Sequence, residues 1–163
     1  MKEDSDVERG KLPLLRKGDA AHVSLNTNPG TTMNLKVSGE ETRGKYEIWQ
    51  VDLDEGAILD LHEHHNRIET FIVLNGKLEM GLKNEQKYVA HGGEMVHLPS
   101  YTPHKPTALE PSRILIINSP GDMLDFMEEL TKLTPEQRRD KDFMTELTQK
   151  YDEYILEYTK EVY

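Results

Sequence analysis

Four candidate metal donors have to meet in space, and their spacing leaves few folds that can bring them together. Between residues 56 and 104 the chain carries Gly56, His62, His64, Glu69 and Gly76 as G-x5-H-x-H-x4-E-x6-G, then Gly93, Pro99 and His104 as G-x5-P-x4-H. In an extended strand, residues two apart project from one face, about 6 to 7 Å apart along the chain. His62 and His64 therefore aim the same way. Glu69 follows a bend that begins at His65-Asn66, and His104 belongs to a later segment that must return to the same place. Two imidazoles and a carboxylate aimed at one point suit a first-row metal ion. With seven histidines in the chain, a single H-x-H pair is unremarkable. Its conjunction with the glutamate, both glycines and the later half-motif carries the reading.

The surrounding sequence reads as short strands. Met33–Val37, Tyr46–Leu53, Ala57–His64, Thr70–Leu74, Lys77–Leu82, Lys87–Ala90, Glu94–Leu98 and Arg113–Asn118 are separated by turn residues such as Asn28-Pro29-Gly30, Arg43-Gly44, Glu55-Gly56 and Gly92-Gly93. Strands at this spacing predict a sandwich or barrel. Asn75-Gly76 lies between two of them and predicts a two-residue hairpin turn, because such a dipeptide accepts positive φ.

After Pro120-Gly121 the period changes. Met123, Phe126, Met127, Leu130 and Leu133 recur at helical spacing, and Thr134-Pro135-Glu136-Gln137 is a helix start with a capping threonine and an early proline. Phe143, Leu147, Tyr151, Tyr154 and Tyr158 would share one face of a last helix, packing on the barrel or on a partner subunit. The expected organisation is a flexible N-terminal arm over 1–19, a β-barrel over 20–121 and a helical tail over 122–163.

These residues resemble the cupin superfamily, with the first cupin motif matched from Gly56 to Gly76 and the second at Gly93, Pro99 and His104. The resemblance implies an all-β core, a jelly-roll barrel (double-stranded β-helix) with C-terminal α-helices. It also implies one divalent metal ion held by His62, His64, Glu69 and His104. The Asn118-Ser119-Pro120-Gly121 exit and the helix after it look like the small quercetin-dioxygenase-like cupins. Two positions depart from the family pattern. Tyr101 stands where glycine usually follows the proline, and Lys105-Pro106-Thr107-Ala108 lacks the usual asparagine.

A donor set of three imidazoles and one carboxylate, with no cysteine in the chain, suits iron, manganese, nickel or cobalt; zinc or copper also fit. The expected function is a metal-dependent dioxygenase acting on a small enolic or aromatic, flavonol-like substrate. The alternatives are a non-oxidative isomerase, lyase or cyclase, and a non-catalytic ligand-binding cupin. Glu69 is the candidate catalytic residue, either a permanent ligand or a general base as well. Phe71, Val73, Val96 and Leu98 are candidates for the pocket wall or for plain core. Asp60 reads as a surface side chain, with orientation of a ligand imidazole as the alternative. His65 reads as exterior, His97 is ambiguous, and His22 and His91 carry no signal.

The formal charge of −10 argues against a nucleic-acid partner. No run approaches the roughly 20 apolar residues of a membrane helix, and the N-terminus lacks the apolar core of a secretory signal. The expectation is a cytoplasmic homodimer whose partners are a small-molecule substrate and, for the oxidative reaction, dioxygen.

Overall fold

A computed structural model describes residues 14–159. Most of the expected N-terminal arm, including Leu12 and Pro13 of its apolar patch, lies outside the described residues. Eleven strands follow in two sheets. The first contains β1 (Val23–Asn26), β2 (Thr31–Val37), β3 (Glu47–Leu53), β5 (Ile68–Asn75), β8 (Met95–Leu98) and β10 (Ser112–Ser119), in the order β1-β2-β3-β10-β5-β8. The second contains β4 (Leu61–Glu63), β6 (Lys77–Leu82), β7 (Lys87–His91), β9 (His104–Ala108) and β11 (Tyr154–Glu157), in the order β11-β4-β9-β6-β7. Every paired strand is antiparallel. The two sheets face each other as a jelly-roll barrel.

Alternation builds the interior. Along β10, Ser112, Ile114, Ile116 and Asn118 are buried while the residues between them are half-exposed. Along β5, Glu69, Phe71 and Val73 are buried in the same way. Trp49, Leu35, Val73, Leu78 and Met80 are fully buried in the core. The core extends to α1 (Leu124–Thr131), whose Phe126, Met127 and Leu130 are buried in it; the short α2 (Pro135–Arg139) and then α3 (Lys141–Lys150) follow. Met144 and Leu147 of α3 join the same core. The start of α1 is anchored by buried Glu47, whose Oε2 accepts from the Met123 backbone N–H (3.1 Å) and from Trp49 Nε1 (3.0 Å). The reciprocal cap at Thr134 and Gln137 forms as read: Thr134 Oγ1 accepts from Gln137 N, and Gln137 Oε1 from Thr134 N.

Three local expectations are corrected. Asn75-Gly76 is not a hairpin turn. It joins β5, which pairs with β10 and β8, to β6, which pairs with β7 and β9, so it carries the chain from one sheet to the other. Gly76 does adopt positive φ (87°), and a Cβ there would lie 2.2 Å from Ser112 Oγ and 2.7 Å from the Pro111 carbonyl oxygen. The required backbone was legible, but the strand it delivers was not. The last helix ends at Lys150, because Asp152 takes left-handed φ (62°) and turns the chain into β11. Tyr154 thus lies on a strand and Tyr158 beyond it, so the five aromatic and leucine positions do not share a helix face. The third miss is β9, which holds Pro106 between β4 and β6 and so lacked strand character in the sequence.

Candidate metal centre

Strand register sets the site. His62 on β4 is paired directly with His104 at the start of β9. His64 ends the same short strand region, and Glu69 enters from β5 in the facing sheet. The four residues are between 1% and 4% exposed, and one donor atom from each lies within 4.8 Å of every other. Glu69 Oε2 stands 3.3 Å from His64 Nε2 and 3.0 Å from His104 Nε2.

Each imidazole is braced from behind. His62 Nδ1 donates to the Asp60 carbonyl (2.7 Å), His104 Nδ1 to the Thr102 carbonyl (2.8 Å), and His64 Nδ1 to the Asp152 carbonyl (2.7 Å). A carbonyl oxygen can only accept, so each Nδ1 carries a proton, and in the neutral ring each Nε2 presents a lone pair inward. Arg67 Nη1, itself a donor, lies 3.4 Å from the same His64 nitrogen and leaves that assignment unchanged.

The inward atoms lack hydrogen-bond partners: His64 Nε2, His104 Nε2 and Glu69 Oε2 are all buried without one. Lone pairs facing a carboxylate at 3.0–3.3 Å repel unless a positive charge sits among them. Protons on the imidazoles are one source of that charge. Burial would raise the Glu69 carboxyl, but His64 and His104 outweigh it and hold it well below the usual carboxylate range. Burial opposes charge on His64, yet the Glu69 carboxylate raises its pKa; burial, reinforced by His104 and His64, keeps His62 well below the ordinary imidazole value. The cluster accommodates one cation. Three neutral imidazoles and a carboxylate can hold one divalent metal ion, and the orphaned donors are what such an ion would satisfy.

The site opens onto a cavity of about 80 Å³ bounded by His62, His64, Glu69 and mainly apolar side chains, including Phe71, Ile114 and Met127. Of the four wall candidates only Phe71 lines it; its ring also meets the edge of His104 at 6.2 Å. Val73 and Leu98 are core and Val96 is half-buried beside them. Asp60 is corrected from surface to buried. It orients His62 through its carbonyl, while its carboxylate accepts from the Thr159 backbone N–H. His65 stays out of the cluster, half-buried and stacked on Tyr154 (3.7 Å) and Tyr101 (4.6 Å). His97 bonds Thr70 Oγ1 on the exposed side.

Two contributors come from the C-terminal segment and went unnoticed in the sequence. Asp152, besides holding His64, accepts through its carboxylate from the backbone N–H groups of His65, Asn66 and Arg67. Glu153 lines the cavity with the ligand candidates, and burial pushes its carboxyl up despite the opposing charges of His64 and Arg67. A lone Asp-Glu pair after a helix gives no sequence signal of either role.

A family model described as a cupin domain matches residues 49–118, which include all four donors. Quercetin 2,3-dioxygenase of Bacillus subtilis (strain 168) is 33% identical over 99 residues, covering 60% of this chain and 28% of that protein. The chain thus spans less than a third of that relative's length. Among solved structures, KdgF from a Halomonas species superposes with a TM-score of 0.53 at 24% identity, covering 61% of this chain and 86% of that one. Ectoine synthase from P. lautus superposes with a TM-score of 0.58 at 13% identity, covering 91% of this chain and 92% of its own. At these identities the two structures speak to fold alone. No helix among the described residues is long and apolar enough to cross a membrane.

Proposed function

We propose that the chain, whose residues 49–118 match a cupin-domain model, is a metal-dependent cupin enzyme, a dioxygenase acting on a small enolic or aromatic substrate. The observation that carries the metal is the convergence of unpartnered His64 Nε2, His104 Nε2 and Glu69 Oε2 in a buried cluster. The oxidative part rests on the 33% identity to quercetin 2,3-dioxygenase. A divalent ion held there supplies Lewis acidity toward a substrate oxygen and, for iron, manganese, nickel, cobalt or copper, access to oxygen chemistry.

The chain's own residues do the rest. His62, His64 and His104 keep their Nε2 atoms inward through the carbonyl braces. Glu69 supplies the negative charge of the donor set and is the candidate proton acceptor for an incoming hydroxyl. The apolar wall excludes water and takes the hydrocarbon part of the substrate.

The test is elemental analysis of the protein as isolated, then oxygen uptake by the iron, manganese, nickel and cobalt forms with small diketones, hydroxypyranones and flavonols. Uptake by at least one metal form is expected with the small compounds. Metal-replete protein that consumes no oxygen across the panel overturns the dioxygenase. A non-oxidative isomerase, lyase or cyclase is the second reading, favoured by the additional cavity carboxyl, Glu153, which suits proton transfer. Turnover that persists without oxygen selects it.

A further inference from the structure

Glu153 occupies a place that the dioxygenase reading leaves unused. It borders the chamber together with His62, His64 and Glu69 but is not among the four clustered donors. The backbone around it is pinned on both sides. Its own N–H donates to the Thr148 carbonyl (3.0 Å), and the preceding Asp152 is fixed to the 65–67 amides. The side chain has no hydrogen bond or ion pair with any described residue. Glu153 is half-buried, so its carboxyl can hydrogen-bond water or a bound molecule.

Its position favours a ligand. A second cavity of about 30 Å³ adjoins the first, and Glu153 borders both, along with Asn28, Leu59, Phe126 and Leu130. A molecule held by its oxygens at the histidine cluster would meet apolar side chains along its body and this carboxyl where the wall gives way. We propose that Glu153 reads the substrate: its carboxyl hydrogen-bonds a hydroxyl on the side of a small oxygen-chelating molecule remote from His62, His64, Glu69 and His104. The substrate class is then a compact hydroxylated enolone, with chelating oxygens at one end and a hydroxyl at the other. The inference rests on the metal reading above and adds the residue that selects among chelating molecules.

Kojic acid and allomaltol test it, because they share one chelating hydroxypyranone and differ by a single hydroxyl on the far side of the ring. The full chain is loaded with cobalt(II), its metal content is measured, and each compound is titrated while the visible cobalt bands are followed. Wild type is expected to prefer kojic acid by about tenfold or more, the discrimination a hydrogen bond to a charged or strongly polar partner provides. Glu153→Leu should abolish the preference while keeping cobalt near the wild-type content. Glu153→Gln, which still hydrogen-bonds, should retain part of it. Should the leucine fail to fold or to hold cobalt, Glu153→Ala adds no bulk and gives the same reading. Equal affinity of wild type for the two compounds overturns the proposal, as does a preference that survives in the apolar variant. Wild type that takes up no cobalt overturns the metal reading itself, and this inference with it.

Discussion

At the scale of single residues, the site depends on what holds the back of each imidazole. For His62 and His104 the brace is a carbonyl two residues earlier, so it comes with the strand and no side-chain change removes it. For His64 it is the Asp152 carbonyl, 88 positions along the chain, kept in place by the Asp152 carboxylate. His62→Ala, His64→Ala and His104→Ala should each lose most bound metal; wild-type metal content in all three would refute the ligand assignment. Asp152→Ala should weaken metal affinity by about 10- to 100-fold, the usual effect of losing a group that orients a ligand. Asp152→Asn should lose less, since it keeps an acceptor oxygen and tolerates positive φ. Competition against a chelator of known affinity measures both. Tyr101, where the family pattern has glycine, adopts φ 61°. Its N–H donates to the His64 carbonyl (2.6 Å) and its ring stacks on His65, which offsets a left-handed cost of about 1–2 kcal/mol. Tyr101→Ala should therefore destabilise by about 1 kcal/mol, since the strain stays and the stack goes. Tyr101→Gly should be the milder change in the same denaturation experiment.

Elements place those residues. The corner at Gly76 moves the chain between sheets, and so lets β5 carry Glu69 on one wall while β6 pairs with β9, which begins at His104. Gly76→Ala combines positive φ with a Cβ overlapping Ser112 and the Pro111 carbonyl. A loss of about 2 kcal/mol or more is expected, read as a lower denaturant midpoint at unchanged slope; an unshifted midpoint would mean the corner can relax. The strand β11 does comparable work at the other edge, pairing with β4 so that Ile155 lies opposite His62. Stacking of Tyr154 on His65 closes the same seam from outside.

Over the whole molecule, barrel and tail share one core. Phe126, Met127, Leu130, Met144 and Leu147 are buried with the barrel interior. Burying five such side chains contributes on the order of 10 kcal/mol, comparable to the entire net stability of a domain, about 5–15 kcal/mol. A chain cut after Ser119 keeps all four donors and the whole family match, yet should show no cooperative thermal transition and should not hold metal. A sharp transition close to that of the full chain would show instead that the barrel folds independently of its tail.

The candidate donor set, the barrel class and the capped start of the second helix were legible in the sequence, because each depends on contacts a few residues apart. Side-chain alternation puts His62 and His64 on one face whatever the rest of the chain does, and Thr134 can reach Gln137 from a single turn. Partner strands, by contrast, are chosen by packing. The same Asn75-Gly76 backbone serves a hairpin or a corner, Pro106 enters a central strand, and Asp60 is buried, all because of elements distant in sequence. The roles of Asp152 and Glu153 belong to that second kind. Sequence by itself determined which atoms can bind a metal; only the tertiary structure decided what braces them and which carboxyl shares their cavity, since both depend on a segment that returns to the barrel from the far end of the described chain.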